Sequence, residues 1–344
     1  MKSLVVTTAV VVVLTIGAWV LLCLVSVETA ALAQGKPEKE KIRIGHAARA
    51  VAHSIPYVTH AAGYFREEGL EVEIVQTSGS VAPIALISTD VDFSIMSAFL
   101  LIPASMKQGD VIMLGGFSRY ASMTLASRPE VRTARELKGK IVGLQRPGDA
   151  YEKNARTALR HLGLDPDKDV TLIYLGSNEV MWPALETGKV AATMISPPAT
   201  MPARKMGMNF LVDLYDLKVE YQGATLATRR AFIKQHTNLT HRVVRAIVHG
   251  VHFFKTRKEE TISLLSKFMR SKDRDAMEEA WSHYGREMPA KPYAVESAVQ
   301  AVLNDLAERD PRVAQRKPAE FIESGPLAEL DKSGFIDRLY AGQR

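Results

Sequence analysis

Strands and helices alternate along most of this 344-residue chain, and the alternating pattern occurs twice. Such alternation predicts parallel α/β sheets, and two runs predict two α/β lobes. From about Arg229 onward the pattern is helical, so we expect this tail to pack on the sheet of one lobe. The predicted strands are 42–45, 70–75, 92–96, 111–117, 141–144, 170–175, 190–195 and 210–214, and the predicted helices between them are 54–69, 81–88, 100–108, 150–162 and 178–186. Ser54 and Asn178 are predicted helix caps, and Thr133 with Glu136 is a predicted capping box. In the tail, one helix has a predicted apolar stripe of Val243, Ile247, Val251 and Phe254.

Composition places the chain among globular proteins with a sizeable core. Hydrophobic residues make up 47% and charged residues 24%, which excludes a disordered, a collagen-like or a polytopic membrane protein. At about 150 residues per domain, the length predicts two domains. The net charge of +6 fits nucleic acid, a membrane surface or an anionic ligand equally well. Because the basic clusters of the tail lie among acidic residues, we expect solvated helix faces there and no nucleic-acid binding.

The N-terminal segment has the pattern of an export signal. Lys2 precedes an uncharged run over Leu4–Val27, and Ala31-Leu32-Ala33 supplies the small residues of a cleavage site. We therefore predict a signal peptide over 1–33 and a periplasmic or cell-surface location. The run is also long enough to span about 30 Å of hydrocarbon, so an uncleaved anchor that tethers the protein stays open. Lipid attachment at Cys23 is disfavoured, because Leu22 stands where a small residue is needed.

Residues 34–41 form a charged, Pro-containing linker that we expect to be extended.

The single cysteine, Cys23, lies in the predicted targeting segment, so the rest of the chain cannot hold a disulfide, a cysteine-based zinc site or an iron–sulfur cluster. We expect no metal and no cofactor. His249 and His252 lie three apart on a helix, but without a third ligand at a matching spacing they are better interpreted as solvated or capping residues.

Candidate binding residues follow from the strand–helix order. In open α/β sheets, ligands bind beyond the carboxyl ends of the strands. Small hydroxyl and glycine residues there let backbone N–H groups approach an anion, and arginines add bidentate recognition of a carboxylate, sulfonate or phosphate. Any one of these residues is more often an ordinary turn residue, so the set carries the prediction. The predicted ligand-binding residues are His46, Ala48, Ser54, Ser78, Gly79, Ser80, Ser97, Arg119, Arg146, Gly148, Asp149, Asn178 and Ser196.

Catalytic motifs are missing from the sequence. It holds no Gly-x-Ser-x-Gly elbow, no Walker loop and no His-Glu-x-x-His. His46, His53 and His60 recur at intervals of seven, but they fall on a strand end, a loop and a helix and need not converge. Trp182 fits a core position better than a cleft position.

The chain resembles the solute-binding proteins of ABC importers, in the branch of nitrate, taurine, aliphatic-sulfonate and thiamine-precursor binders. The resemblance covers about Lys41 to Phe232, and the tail is similar only in its helical character. Ala192 stands where this family commonly has Asp, so any role of that acid is missing here. The segments that carry the resemblance are 42–45, 55–58, 62–72, 137–143 and 188–198.

This resemblance implies a two-lobed type II periplasmic-binding-protein fold. Two α/β lobes would be joined by crossover strands near Phe117–Ala126 and Asp213–Leu226, with the helical tail completing the first lobe. The expected boundaries are 42–119 and 224–344 for the first lobe and 120–223 for the second. Such a protein captures a small polar solute, here an anionic organic one, by hinge closure of the cleft. It acts as a monomer and delivers the solute to a membrane permease.

Two other functions are also compatible with the sequence. One is an enzyme on the same fold that acts on a pyrimidine-type or carboxylate substrate. The pyrimidine-precursor synthases of the superfamily carry a cysteine-rich iron-binding segment, and its futalosine-pathway enzymes are cytoplasmic, so neither fits an exported chain without further cysteines. The other is an anchored sensor ectodomain, which no second transmembrane run supports.

Overall fold

The computed structural model describes residues 41–77, 79–108 and 110–342. The predicted signal or anchor segment 1–33, most of the linker and Ser78 lie outside these residues. Lys41, the last residue of the predicted linker, is instead the first residue of a strand. In the described part of the chain, no helix is long and apolar enough to cross a membrane.

The described strands and helices follow the predicted alternation. The strands are β1 (Lys41–His46), β2 (Glu71–Gln76), β3 (Phe93–Met96), β4 (Val111–Gly116), β5 (Thr124–Ser127), β6 (Ile141–Leu144), β7 (Thr171–Tyr174), β8 (Ala192–Ile195), β9 (Asn209–Asp213) and β10 (Thr225–Arg229). The first helices are α1 (Ile55–Ala61), α2 (Tyr64–Glu67), α3 (Val81–Ile87), α4 (Ala98–Gln108), α5 (Ala134–Leu137), α6 (Ala150–His161), α7 (Asn178–Glu186) and α8 (Thr200–Lys205). The tail holds α9 (Arg230–Gln235), α10 (Thr237–Thr256), α11 (Lys258–Met269), α12 (Arg274–Glu287), α13 (Glu296–Ala307), α14 (Gly325–Lys332) and α15 (Phe335–Ala341).

Two five-stranded sheets form the two lobes, with strand orders β2-β1-β3-β10-β4 and β7-β6-β8-β5-β9. We call the first sheet with its helices the first lobe, and the second sheet with its helices the second lobe. The expectation of parallel sheets is wrong, because both sheets are mixed. β10 runs antiparallel to β3 and β4, and β5 runs antiparallel to β8 and β9. The chain enters each of these two strands from the other lobe, so each strand runs opposite to its neighbours in the sheet.

Two connecting segments, 117–123 and 214–224, join the lobes and pair with each other. Tyr221 N donates to Arg119 O at 2.8 Å, and Ala121 N donates to Val219 O at 3.0 Å. These segments fall inside the predicted crossovers. The two-lobed α/β architecture is therefore confirmed, while the residue boundaries assigned to each lobe stay a prediction.

The structure contains one of the three predicted helix-capping signals. The predicted capping box is present, since Glu136 N donates to Thr133 Oγ1 at 3.3 Å and Thr133 N donates to Glu136 Oε2 at 3.1 Å. Two predicted caps are wrong. The Ser54 hydroxyl donates back to Val51 O at 2.7 Å instead of accepting a helix N–H. Ser177 is the N-cap of α7, so Asn178 is already inside the helix.

The tail packs on the first lobe and also reaches the second. The long helix α10 packs against α1 through the predicted stripe, which is fully buried at Val243, Val251 and Phe254. Elsewhere, Lys153 Nζ of α6 lies 2.9 Å from Asp305 Oδ2 of α13, and α12 packs against α8. The tail thus connects the lobes at positions distant in sequence from the connecting segments.

Gly250 is required where α10 crosses α1. A Cβ at this position would collide with the Thr59 hydroxyl and lie 2.9 Å from Thr59 Cβ. We expect Gly250→Ala to lower the free energy of unfolding by about 2 kcal/mol, because the helices must move apart. Gly285→Ala is the matched control: a Cβ there meets nothing within 4 Å, so its better helix propensity should add up to about 1 kcal/mol. Urea unfolding of both variants measures the difference, and equal stabilities would contradict this packing.

The Lys153–Asp305 pair should matter more than a surface ion pair. Lys153 is buried, so Lys153→Met leaves Asp305 poorly solvated and should cost about 2 kcal/mol of unfolding free energy. Adding Asp305→Leu should recover most of the loss, because apolar side chains then fill the space. Lys168→Met breaks an exposed pair with Asp165 and should change little. A Lys153→Met variant as stable as Lys168→Met would show that the pair contributes nothing.

Candidate functional site

The loops at the carboxyl ends of the strands of the two lobes meet between the sheets. The clearest contact joins the loop before α3 to the loop before α6. A Cβ at Gly79 of the first lobe would lie 3.8 Å from Arg146 Nη1 of the second lobe. These loops therefore form opposite walls of one cleft, which is where ligands of such sheets bind.

Tyr221 forms the floor of this cleft. It lies in the second connecting segment, its side chain is buried, and its hydroxyl lies beside the hydroxyl of Ser97 at the start of α4. The Lys153 ammonium lies 4.7 Å from the centre of its ring. Burial raises the pKa of Tyr221, as do the carboxylates of Asp305 and Asp149. The floor is therefore polar but uncharged at the tyrosine.

The N-terminus of α6 is occupied by carboxylates of the chain itself. Asp149 is its N-cap: Oδ1 accepts from Glu152 N at 3.0 Å, and Oδ2 accepts from Arg146 N at 3.1 Å. Gly148, with a φ of +76° that favours glycine, donates its N–H to Glu152 Oε2 at 2.6 Å. Burial raises the pKa of Asp149. Side chains of the protein thus accept the N–H groups at this helix start, where we predict anion binding, and the Arg146 side chain is a nearby cation that faces the opposite lobe.

Two histidines line the first-lobe wall. The Nδ1 of His46, at the end of β1, lies 3.0 Å from Ala48 O, and His53 also contacts that carbonyl. Burial lowers the pKa of His46 and lowers that of His53 to about 4. Both rings are therefore neutral at pH 7. Two of the three histidines at intervals of seven do come together, whereas His60 is exposed on α1.

The remaining predicted site residues have different positions. Ser54 is buried with its hydroxyl bonded to Val51 O. The Arg119 guanidinium belongs to the connecting segments, where its Nε lies 3.0 Å from Glu220 Oε1. Ser80 is exposed at the start of α3, and the Ser196 hydroxyl lies beside Tyr284 of α12. Ser78 and the Asn178 side chain lie outside the described residues. The structure therefore brings Gly79 next to Arg146, places His46 and Ala48 on the loop whose Ala47 O accepts from Gly79 N, and places Ser97 and Asp149 near Tyr221. That these residues bind one ligand stays a prediction.

Sequence reasoning missed Tyr221, Lys153 and Tyr284. Tyr221 acquires its role only from the pairing of the connecting segments, which no local pattern reveals. Tyr284 comes from the tail, and its neighbours Ser196 and Tyr151 are distant in sequence. No single-residue signal marks these positions.

The histidines of α10 pack against aromatic rings. The His249 ring lies 4.8 Å from Tyr64, and the His252 ring lies 4.8 Å from Tyr340. Among the residues that the structure describes, no group of three His, Cys, Asp or Glu side chains is arranged to hold a metal.

Known proteins share this architecture along most of the chain. The aliphatic sulphonate-binding protein SsuA of Escherichia coli has a similar structure, with a TM-score of 0.64 at 19% identity, over 83% of this chain and 92% of that one. The desulfurization enzyme DSZB is similar with a TM-score of 0.66 at 15% identity, over 85% of this chain and 99% of that one. At such identities these likenesses establish the fold.

Sequence comparison establishes the family. YtlA of Bacillus subtilis (strain 168), a binding protein by name, is 22% identical over 272 residues, which are 76% of this chain and 81% of that protein. The family described as NMT1/THI5 like matches residues 50–261, more than half of the chain. The chain is therefore a member of the NMT1/THI5-like family and has the fold of the periplasmic solute-binding proteins.

Proposed function

We propose that this protein captures a small, polar, anionic organic solute between its lobes and delivers it to the permease of an ABC importer. The observation that carries the proposal is the meeting of the two lobes at Gly79 and Arg146. A solute held there contacts both lobes, so its binding favours the closed arrangement.

An anionic solute fits the charge of the cleft. Arg146 presents an exposed guanidinium at the contact between the lobes, and guanidinium groups bind carboxylates and sulfonates with paired hydrogen bonds. The hydroxyls of Ser97 and Tyr221 add neutral polar partners at the floor. The sulphonate-binding function named for the Escherichia coli relative supports this class of solute.

An enzyme on the same fold is the alternative, since DSZB shares the architecture. The cleft favours binding over nucleophilic catalysis. A serine nucleophile needs a general base beside it, whereas the groups beside Ser97 and Ser196 are the hydroxyls of Tyr221 and Tyr284. Burial raises the pKa of both tyrosines, so they do not act as bases at neutral pH.

Export, tethering and oligomeric state belong to the same proposal. A solute-binding protein for an importer works outside the cytoplasmic membrane, which agrees with the export signal in the sequence. The apolar N-terminal run would tether the protein if it is retained. A monomer suffices, because one chain supplies both walls of the cleft.

Binding of sulfonates and carboxylates tests the proposal. We expect at least one member of a panel of alkanesulfonates, carboxylates and pyrimidines to raise the melting temperature, since a ligand at 100 times its Kd stabilises the fold by about 2.7 kcal/mol. Arg146→Gln should weaken binding of that ligand at least about tenfold, through loss of a charge-assisted hydrogen bond. Arg135→Gln, at an exposed position on α5 of the same lobe, should bind like the wild type.

Two outcomes would contradict the proposal. The first is a panel without any stabilising ligand. The second is conversion of a ligand by the purified protein, followed by mass spectrometry, which would favour the enzyme. Equal losses in Arg146→Gln and Arg135→Gln would place the anion elsewhere.

A further inference from the structure

One face of α12 carries a polar side chain at every fourth residue, and each contacts the second lobe or a connecting segment. Because residues four apart lie on the same helix face, the four contacts form one line, which we call the α12 seam. Lys205 Nζ lies 3.3 Å from Asp275 Oδ2, and the Thr200 hydroxyl donates to Glu279 Oε2 at 2.8 Å. The His283 and Tyr215 rings lie 4.7 Å apart, and the Ser122 hydroxyl donates to Glu287 Oε2 at 2.6 Å.

The α12 seam joins parts of the molecule that a hinge motion moves apart. On one side, α12 packs against α11 and α10 of the first lobe. On the other side, Thr200 and Lys205 belong to α8 of the second lobe, while Ser122 and Tyr215 belong to the connecting segments. Rotation of the second lobe about those segments would therefore break contacts of the seam.

Burial increases sharply along the seam. The side chain of Asp275 is 71% exposed, so its ion pair with Lys205 adds little. The side chain of Glu287 is 1% exposed. Its Oε1 atom has no hydrogen-bond partner in the described structure, and its Oε2 atom lies 3.7 Å from His283 Nε2. A buried carboxylate with an unsatisfied oxygen is costly, and the protonated form costs much less because it carries no charge.

The surroundings of Glu287 decide which form is present. Burial raises the pKa of Glu287 to about 8, although the Ser122 hydroxyl and the Lys218 charge oppose this. The Lys218 ammonium itself lies 4.1 Å from the centre of the Tyr215 ring. Burial lowers the pKa of His283, so this histidine is neutral at pH 7 and supplies no counter-charge. The titratable groups that surround Glu287 and His283 are Tyr284 and Arg286 on α12, Asp213, Tyr215, Asp216 and Lys218 around the second connecting segment, Tyr120 in the first, and Tyr151 on α6.

We propose that the α12 seam is a proton-dependent contact between the lobes: the arrangement described here keeps a proton on Glu287 beside Ser122, and loss of that proton favours separation of the second lobe from α12. In a separated arrangement water reaches the carboxyl, and its pKa returns toward the ordinary 4.5. The described arrangement thus holds the proton more tightly. Its population therefore falls as pH rises above about 4.5 and levels off above about 8.

Distances between spin labels on the two lobes test this proposal without any solute. The full chain with Cys23→Ser would carry labels at Ile84→Cys on α3 and Val180→Cys on α7, two exposed positions on different lobes. We expect the ratio of molecules with a short label distance to molecules with a long one to fall at least about tenfold from pH 5 to pH 9. Each unit by which the pKa of Glu287 differs between the two arrangements changes this ratio tenfold. Glu287→Gln keeps the shape and removes the charge, so its ratio should not depend on pH.

Two further variants separate the titration from loss of structure. Ser122→Ala removes a hydrogen bond that lowers the pKa of Glu287, so the distance change should extend to higher pH. Asp275→Asn, at the exposed end of the same helix face, should behave like the wild type. Circular dichroism at each pH confirms that every variant is folded. A distance independent of pH in the wild type, or the same pH dependence in Glu287→Gln, would overturn the proposal.

Discussion

The pairing of the two connecting segments is the interaction on which the other features depend. Backbone hydrogen bonds between 117–123 and 214–224 fix the direction in which the chain enters each sheet, and so make β5 and β10 antiparallel to their neighbours. The same pairing holds Tyr221 at the floor of the cleft, between Ser97 of one lobe and Lys153 of the other. A local ladder of main-chain contacts thereby positions groups from three distant parts of the sequence.

The charged groups of the cleft fall into two sets: carboxylates that bind N–H groups of the protein itself, and a guanidinium that is available to a solute. Asp149 and Glu152 accept the N–H groups at the start of α6, so a solute would have to displace charges of the protein to bind there. His46 and His53 are neutral because burial penalises their charged forms. Arg146 is a cation beside the opposite lobe, which agrees with the anionic solute that we propose.

Sequence patterns predicted the fold well where the determinants are local. The alternation of 70–75, the capping box at Thr133 and the start of α7 after β7 depend on neighbouring residues. β5 and β10 are missing from the predicted strands and only overlap the predicted crossovers, because the strands that bury each of them lie far away in the sequence. The site was predicted at the level of loops. Tyr221, Lys153 and Tyr284 could not be found, since their partners come together only through the connecting segments and the tail.

The position of β10 also bears on the order in which the molecule assembles. All five strands of the second lobe, β5 to β9, are contiguous in the sequence, so that sheet can complete itself from nearby segments. The first sheet cannot, because its fourth strand in space, between β3 and β4, is the last to leave a ribosome. Until Thr225–Arg229 arrives, β3 and β4 each expose an unpaired edge, and such edges attract other strands. The first lobe begins to emerge earlier than the second, but it should fold more slowly because its sheet needs this distant strand.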